Sequence, residues 1–254
     1  MNELMQARSQ DRSLLQFGNP ISASQYLRLY RLVARYVRAG ATVLDWGVGN
    51  GHFSYFLVRS GYRTSGYGFE RPPQVCSAFA PGSYEYRSGN SNDPITLPYS
   101  SQSFDAVLAV GVLEHVRETG GDELSSFKEI NRILKPKGVF ICFHLPNRYS
   151  WIEASLRLIN RWSHRYRYAA SDILSLAKNA DFEVVEIQRY AILPRNVWWW
   201  GVPGLIRVSF RMANLYGAID NALSALISPV CQNYLFVAQK QKQQYCAVKS
   251  GGPR

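Results

Sequence analysis

Apolar residues along this chain keep switching between two rhythms. Over 22–38 they fall at Tyr26, Leu29, Tyr30, Val33, Tyr36 and Val37, one face of a helix, with arginines opposite. Gly40 suits the end of that helix, where the chain turns left-handed. The short unbroken run 41–46 predicts a buried strand. A helix over 52–60 and a second strand over 62–69 follow. A weak third strand is expected at 84–87 and a strong fourth at 104–110. Leu124, Phe127, Ile130, Ile133 and Leu134 mark the inner face of a helix over 123–134. Pro136-Lys137-Gly138 breaks it ahead of a fifth strand over 139–143. Strands alternating with helices give a parallel sheet covered on both faces, so the class is α/β and doubly wound.

Past His144 the pattern loosens. Helices are expected over 149–162 and, capped by Ser171-Asp172, up to Lys178. Strands are expected at 182–188 and 234–238, and 205–227 again has helical spacing. The simplest organisation is one domain over 1–240, with an N-terminal helix at 22–38 and a core at 41–144. A substrate or lid region at 145–240 then carries an aromatic insertion at 191–230, and a disordered basic tail occupies 241–254. Hydrophobic residues at 46% and charged residues at 19% support a real core and exclude a disordered chain. The four cysteines stand at no metal-ligand spacing, so no metal is expected. The first 20 residues lack the apolar stretch of a signal peptide and no window could span a bilayer, which predicts a cytoplasmic location. The net charge of +11 favours a polyanionic partner, although a solvated basic face accounts for it equally well.

The densest chemistry lies where the first strand ends. Asp45-Trp46-Gly47-Val48-Gly49-Asn50-Gly51 places three alternate glycines between a strand and a helix. The chain must turn sharply there and let its backbone approach a ligand, at the strand ends where α/β sheets bind. A dinucleotide loop would need glycine at 52, which is His52. An acid two residues ahead of the first glycine would also repel a pyrophosphate. It suits a cofactor with a cationic amino group and no phosphate, such as S-adenosylmethionine.

The run 43–54 resembles the first motif of class I S-adenosylmethionine-dependent methyltransferases, and the wider pattern is similar to a small-molecule branch that includes ubiquinone-biosynthesis enzymes. The resemblance implies a seven-stranded sheet, with Asp45 and the backbone of Gly47, Gly49 and Gly51 holding the methionine portion of the cofactor. Glu70, at the end of the second strand, would accept from both ribose hydroxyls. Asp93, four residues ahead of Leu97-Pro98, would bind the adenine amine, unless the assignment slips to Asn92. Val112-Leu113-Glu114-His115-Val116 matches the segment lining the cofactor pocket, so Leu113 and Glu114 are expected at its wall. Lys137 departs from the glycine that the family has before strand five.

Methyl transfer is an in-line displacement, and a base is needed only if the acceptor must lose a proton. The candidates are His115, Glu114 and His144, the last directly after strand five; for the two histidines packing or a hydrogen-bonding role is the alternative. The Asn/Asp-Pro-Pro-aromatic run of enzymes that methylate base amines is missing after strand four, so nucleic acid is not the expected partner. Trp198, Trp199 and Trp200 cannot all enter one core. With Arg189, Arg195, Arg207 and Arg211 nearby, they suit the surface of an anionic membrane, where each arginine contributes about 1 kcal/mol. An aromatic lid or a dimer contact would serve as well. The expectation is methyl transfer to oxygen of a small or lipid-linked acceptor, with peripheral docking at the inner membrane surface. The competing reading is a non-catalytic, membrane-associated protein that binds the cofactor.

Overall fold

The computed structural model describes residues 1–195 and 208–241. Seven apolar runs become the strands β1 (Thr42–Trp46), β2 (Arg63–Gly68), β3 (Tyr84–Ser88), β4 (Phe104–Val110), β5 (Leu134–Pro146), β6 (Phe182–Tyr190) and β7 (Asn233–Lys240). They form one sheet in the order β3-β2-β1-β4-β5-β7-β6. The first five are parallel, and β7 runs antiparallel to both β5 and β6. Parallel neighbours need crossovers. α4 (His52–Arg59) carries the chain from β1 to β2, and α5 (Glu123–Ile133) from β4 to β5.

The two sheet faces have separate cores. One packs Leu29 and Val33 of α3 (Tyr26–Tyr36) and Phe53 and Leu57 of α4 against Val43, Leu108 and Ile141. The other packs Phe127 and Ile130 of α5 and Ile173 of α7 (Ala170–Asn179) against Val107, Phe140 and Phe236. The other α-helices among the described residues are α1 (Asn2–Ala7), α2 (Pro20–Ser24), α6 (Trp151–Leu158) and α8 (Phe210–Leu226).

Three local differences from the pattern have physical causes. The helix expected over 22–38 is two: Asn19 caps α2 by accepting from the Ser22 N–H, with Pro20 opening it, and the chain goes extended at Val37. Ser171 and Asp172 lie inside the first turn of α7, where Asp172 reaches back to the Ala169 N–H at 2.8 Å. The chain passes from α5 into β5 without a loop, taking up Lys137 at φ +64° and a register shift against β4. Trp198, Trp199 and Trp200, and most of the tail, lie outside the described residues. Among the described residues no helix is long and apolar enough to cross a membrane.

Candidate functional site

The turn after β1 is built as its glycines demand. Gly47, Gly49 and Gly51 have φ of +81°, +52° and +79°, a region that L side chains rarely adopt. A Cβ at Gly47 would stand 2.4 Å from Val112 Cγ2, and one at Gly51 2.6 Å from Pro73 Cβ and 2.9 Å from Cys76 Sγ. The N–H groups of Gly47 and Val48 both donate to the carbonyl of Tyr67, pinning the turn to β2.

Asp45 is 1% exposed, and it accepts from the Ser54 hydroxyl at 2.6 Å. Burial pushes the Asp45 carboxyl up to about 7, with the Ser54 hydrogen bonds a partial offset. A carboxylate this poorly compensated calls for a cation. Glu70 is exposed two residues past β2, and its backbone carbonyl accepts from the Tyr86 hydroxyl at 2.6 Å. Asp93 is also exposed, in the loop after β3, where its carboxylate accepts from the Thr96 N–H. That bond holds Asp93 below the usual carboxylate range.

A second group of expected residues lies where β4 and β5 end. A cavity of about 280 Å³ is lined there by Glu114, His115, His144, His164, Gln16 and Tyr26, among others. A groove of about 610 Å³ between α3, β6 and α8 is larger, but it lies along Arg28, Arg31 and Arg35, away from the glycine turn. Leu113 does not face the smaller cavity: it is fully buried in the core beside Phe127. Glu114 is 3% exposed, its Oε2 has no hydrogen-bond partner among the described residues, and burial raises its carboxyl to about 7.

His144 sits in a bulge of β5, where the register to β7 shifts between Cys142 and Leu145, and has φ +66°. Bulges re-aim side chains in this way. The Tyr190 hydroxyl accepts from the His144 N–H and lies 2.9 Å from its Nδ1; the Asn233 amide nitrogen is 3.4 Å from the same atom. Two donors converging on Nδ1 put the ring proton on Nε2. Burial lowers the His144 pKa to about 3, reinforced by the charges of His52, His164 and Arg195, so the ring is neutral.

Several lining residues escaped the sequence reading. Gln16 comes from the N-terminal segment, which lies over the glycine turn: Asn50 Nδ2 donates to the Ser13 carbonyl and to Gln16 Oε1, each at 3.1 Å. That polar stretch has no periodicity to reveal it. His164 lies in an irregular stretch after α6, held to Glu153 by Nδ1 and by its N–H, each at 2.9 Å. Its one legible signal was being one of four histidines.

A family model described as a methyltransferase domain matches residues 22–187. No curated protein sequence matches the chain. Among solved structures, the complex between the Haloferax volcanii Trm112 methyltransferase activator and its methyltransferase is similar at 18% identity and TM-score 0.61, over 87% of this chain and 92% of that one. A methyltransferase from Methanosarcina mazei is similar at 15% identity and TM-score 0.56, over 83% and 97%. Burkholderia thailandensis 1,6-didemethyltoxoflavin-N1-methyltransferase, with its substrate and S-adenosylhomocysteine bound, gives 16% and 0.56 over 85% and 77%. These likenesses are of fold. The family match spans more than half of the chain, and the chain belongs to this methyltransferase family: it is a class I methyltransferase whose cofactor is S-adenosylmethionine.

Proposed function

We propose that the methyl acceptor is a small molecule bearing a hydroxyl, held in the cavity between Glu114, His144 and His164, and methylated on oxygen. The observation carrying this reading is that cavity, where Glu114, His115, His144 and His164 converge at the ends of β4 and β5. Asp45 and the backbone of Gly47, Gly49 and Gly51 fit the methionine end of S-adenosylmethionine, which supplies an electrophilic methyl carbon when bound. Glu70 fits the ribose and Asp93 the adenine end, with Leu113 backing the pocket wall and Glu114 at its polar edge. Among the lining groups, His144 in its Nε2–H form donates a hydrogen bond to the acceptor oxygen and orients it for in-line attack, and His115 stands at the rim. Action of His144 as a base would require the opposite tautomer.

The test is calorimetric titration with S-adenosylmethionine and, separately, NADH, followed by turnover on panels of hydroxylated and aminated small molecules. Binding of the first ligand alone, lost in Asp45→Ala, supports the cofactor site. Turnover confined to hydroxyl acceptors supports oxygen, and turnover of amines overturns it. His144→Ala should lower kcat while leaving cofactor affinity unchanged; unaltered turnover would remove His144 from the reaction.

A lipid-linked acceptor is the second reading, and α8 favours it. The helix buries Ala213, Asp220 and Ser224 and exposes Met212, Leu215, Ile219 and Leu226. An apolar stripe turned outward beside the arginines of the larger groove suits an anionic lipid surface. In sequence the stripe follows Trp198, Trp199 and Trp200. Co-sedimentation with vesicles containing phosphatidylglycerol at low salt would support this reading, and no binding would end it.

A further inference from the structure

The turn after β4 and the irregular segment after α6 are 49 positions apart in sequence, yet they bring Glu114, His115 and His164 together. One ligand atom from each lies within 4.8 Å of the other two. Glu114 Oε2 is buried and has no hydrogen-bond partner among the described residues, a desolvated acceptor left open at this point. Both imidazoles are already oriented. His115 Nδ1 is 2.8 Å from Glu118 Oε2, and His164 Nδ1 is 2.9 Å from Glu153 Oε1. A carboxylate on Nδ1 fixes the tautomer and leaves Nε2 with its lone pair outward, the arrangement behind most metal-binding histidines.

We propose that Glu114, His115 and His164 form a site for a divalent first-row transition ion such as zinc or manganese. Two imidazoles and one carboxylate suit these ions and leave coordination positions open. Metal–ligand bonds of about 2.0–2.2 Å require the three atoms to close by roughly an ångström, which side-chain rotation supplies. All three residues line the cavity that also holds His144. Resting on the acceptor site proposed above, the assignment narrows the substrate class: the acceptor offers a hydroxyl, and best a neighbouring second oxygen, to the ion. Coordination lowers the pKa of such a hydroxyl, so an alkoxide or phenolate attacks the methyl without a protein base. The hydroxyl proton leaves to solvent on coordination, the new bond joins oxygen to the methyl carbon, and the carbon–sulfur bond breaks to give the neutral thioether.

The experiment uses the full-length protein stripped with a chelator and titrated calorimetrically with zinc and, separately, manganese. One ion per chain is expected, with affinity falling at least tenfold in His164→Ala and in Glu114→Gln. Glu118→Gln, at an exposed residue whose carboxylate holds the His115 ring, should cost about tenfold. A cobalt-loaded sample should show visible absorption that is lost in His164→Ala. Should His164→Ala fail to fold by circular dichroism, His115→Gln, at a more exposed position, carries the same comparison. No saturable binding, or binding indifferent to these substitutions, overturns the site. S-adenosylmethionine titrated into the metal-free protein reports the cofactor reading separately, so the two can fail independently.

Discussion

At the scale of single residues, the burial of Asp45 makes stability depend on pH. Its ordinary value of 3.8 is pushed to about 7 by burial, so the folded protein without cofactor binds that proton more tightly than the unfolded chain. The stabilising contribution is complete below about pH 4 and is lost as pH rises through 7. Asp45→Asn should therefore melt progressively higher than the parent from pH 5 to pH 8, a difference that thermal unfolding without cofactor measures directly. A cationic ligand reverses the preference, because it pairs with the ionised form. Affinity for S-adenosylmethionine should rise by up to about tenfold per unit as pH climbs towards 7, with proton release visible as a buffer-dependent calorimetric enthalpy. Gly51 gives a second prediction. At φ +79°, with Pro73 Cβ 2.6 Å from where its own Cβ would be, Gly51→Ala should cost roughly 1–3 kcal/mol in urea unfolding and loosen cofactor binding. Both residues were legible in sequence because their constraint is local: a strand end, an acid and three glycines lie within seven positions. The convergence of Glu114 with His164 was not legible, because it depends on how a segment without periodicity folds back over the sheet.

At the scale of elements, sequence periodicity found every strand of the sheet, since β1, β4 and β5 are buried on both faces and read as continuous apolar runs. It did not find the bulge that aims His144, because one extra residue in a long apolar strand leaves no mark on composition. It found α8 but could not tell which side faces inward. Apolar spacing at Met212, Leu215, Ile219 and Leu226 ordinarily marks a core face, whereas here Leu215 is 63% and Leu226 79% exposed. The inner face carries Ala213, Asp220 and Ser224 instead, and Asp220 accepts from the Leu193 N–H at 2.8 Å. Replacing Leu215 and Ile219 together with glutamine should change stability by no more than about 0.5 kcal/mol, as befits exposed positions. The same variant should lose vesicle binding if α8 meets lipid. A large loss of stability would mean that the stripe is covered by protein.

At the scale of the whole molecule, the sheet with its two cores forms a frame, and a buried ion pair inside the region between β6 and β7 helps to fasten α8 against it. Arg195 and Asp220 meet at 2.8 Å with side chains 10% and 3% exposed. Arg195 also donates to Ser24 Oγ at 3.2 Å, and its carbonyl accepts from the Ser22 hydroxyl, so the pair joins α8 to α2. Tyr26, which opens α3, lines the smaller cavity with Arg195 itself. Removing one partner of a buried pair leaves the other charge uncompensated, so Asp220→Ala should cost about 3–5 kcal/mol. The loss need not spread evenly. Backbone amides over 208–226 should exchange with deuterium well before those of β1 and β4, because the frame keeps its own cores. Replacing both partners with apolar residues, Arg195→Met with Asp220→Leu, should recover most of the stability. The double variant then separates holding from chemistry. If the pair serves only to fasten α8 and α2, acceptor KM returns towards the parent value along with stability. If the Arg195 charge itself faces the acceptor, stability returns while KM stays raised, and cofactor affinity is untouched in both cases because Asp45 and the glycine turn belong to the frame.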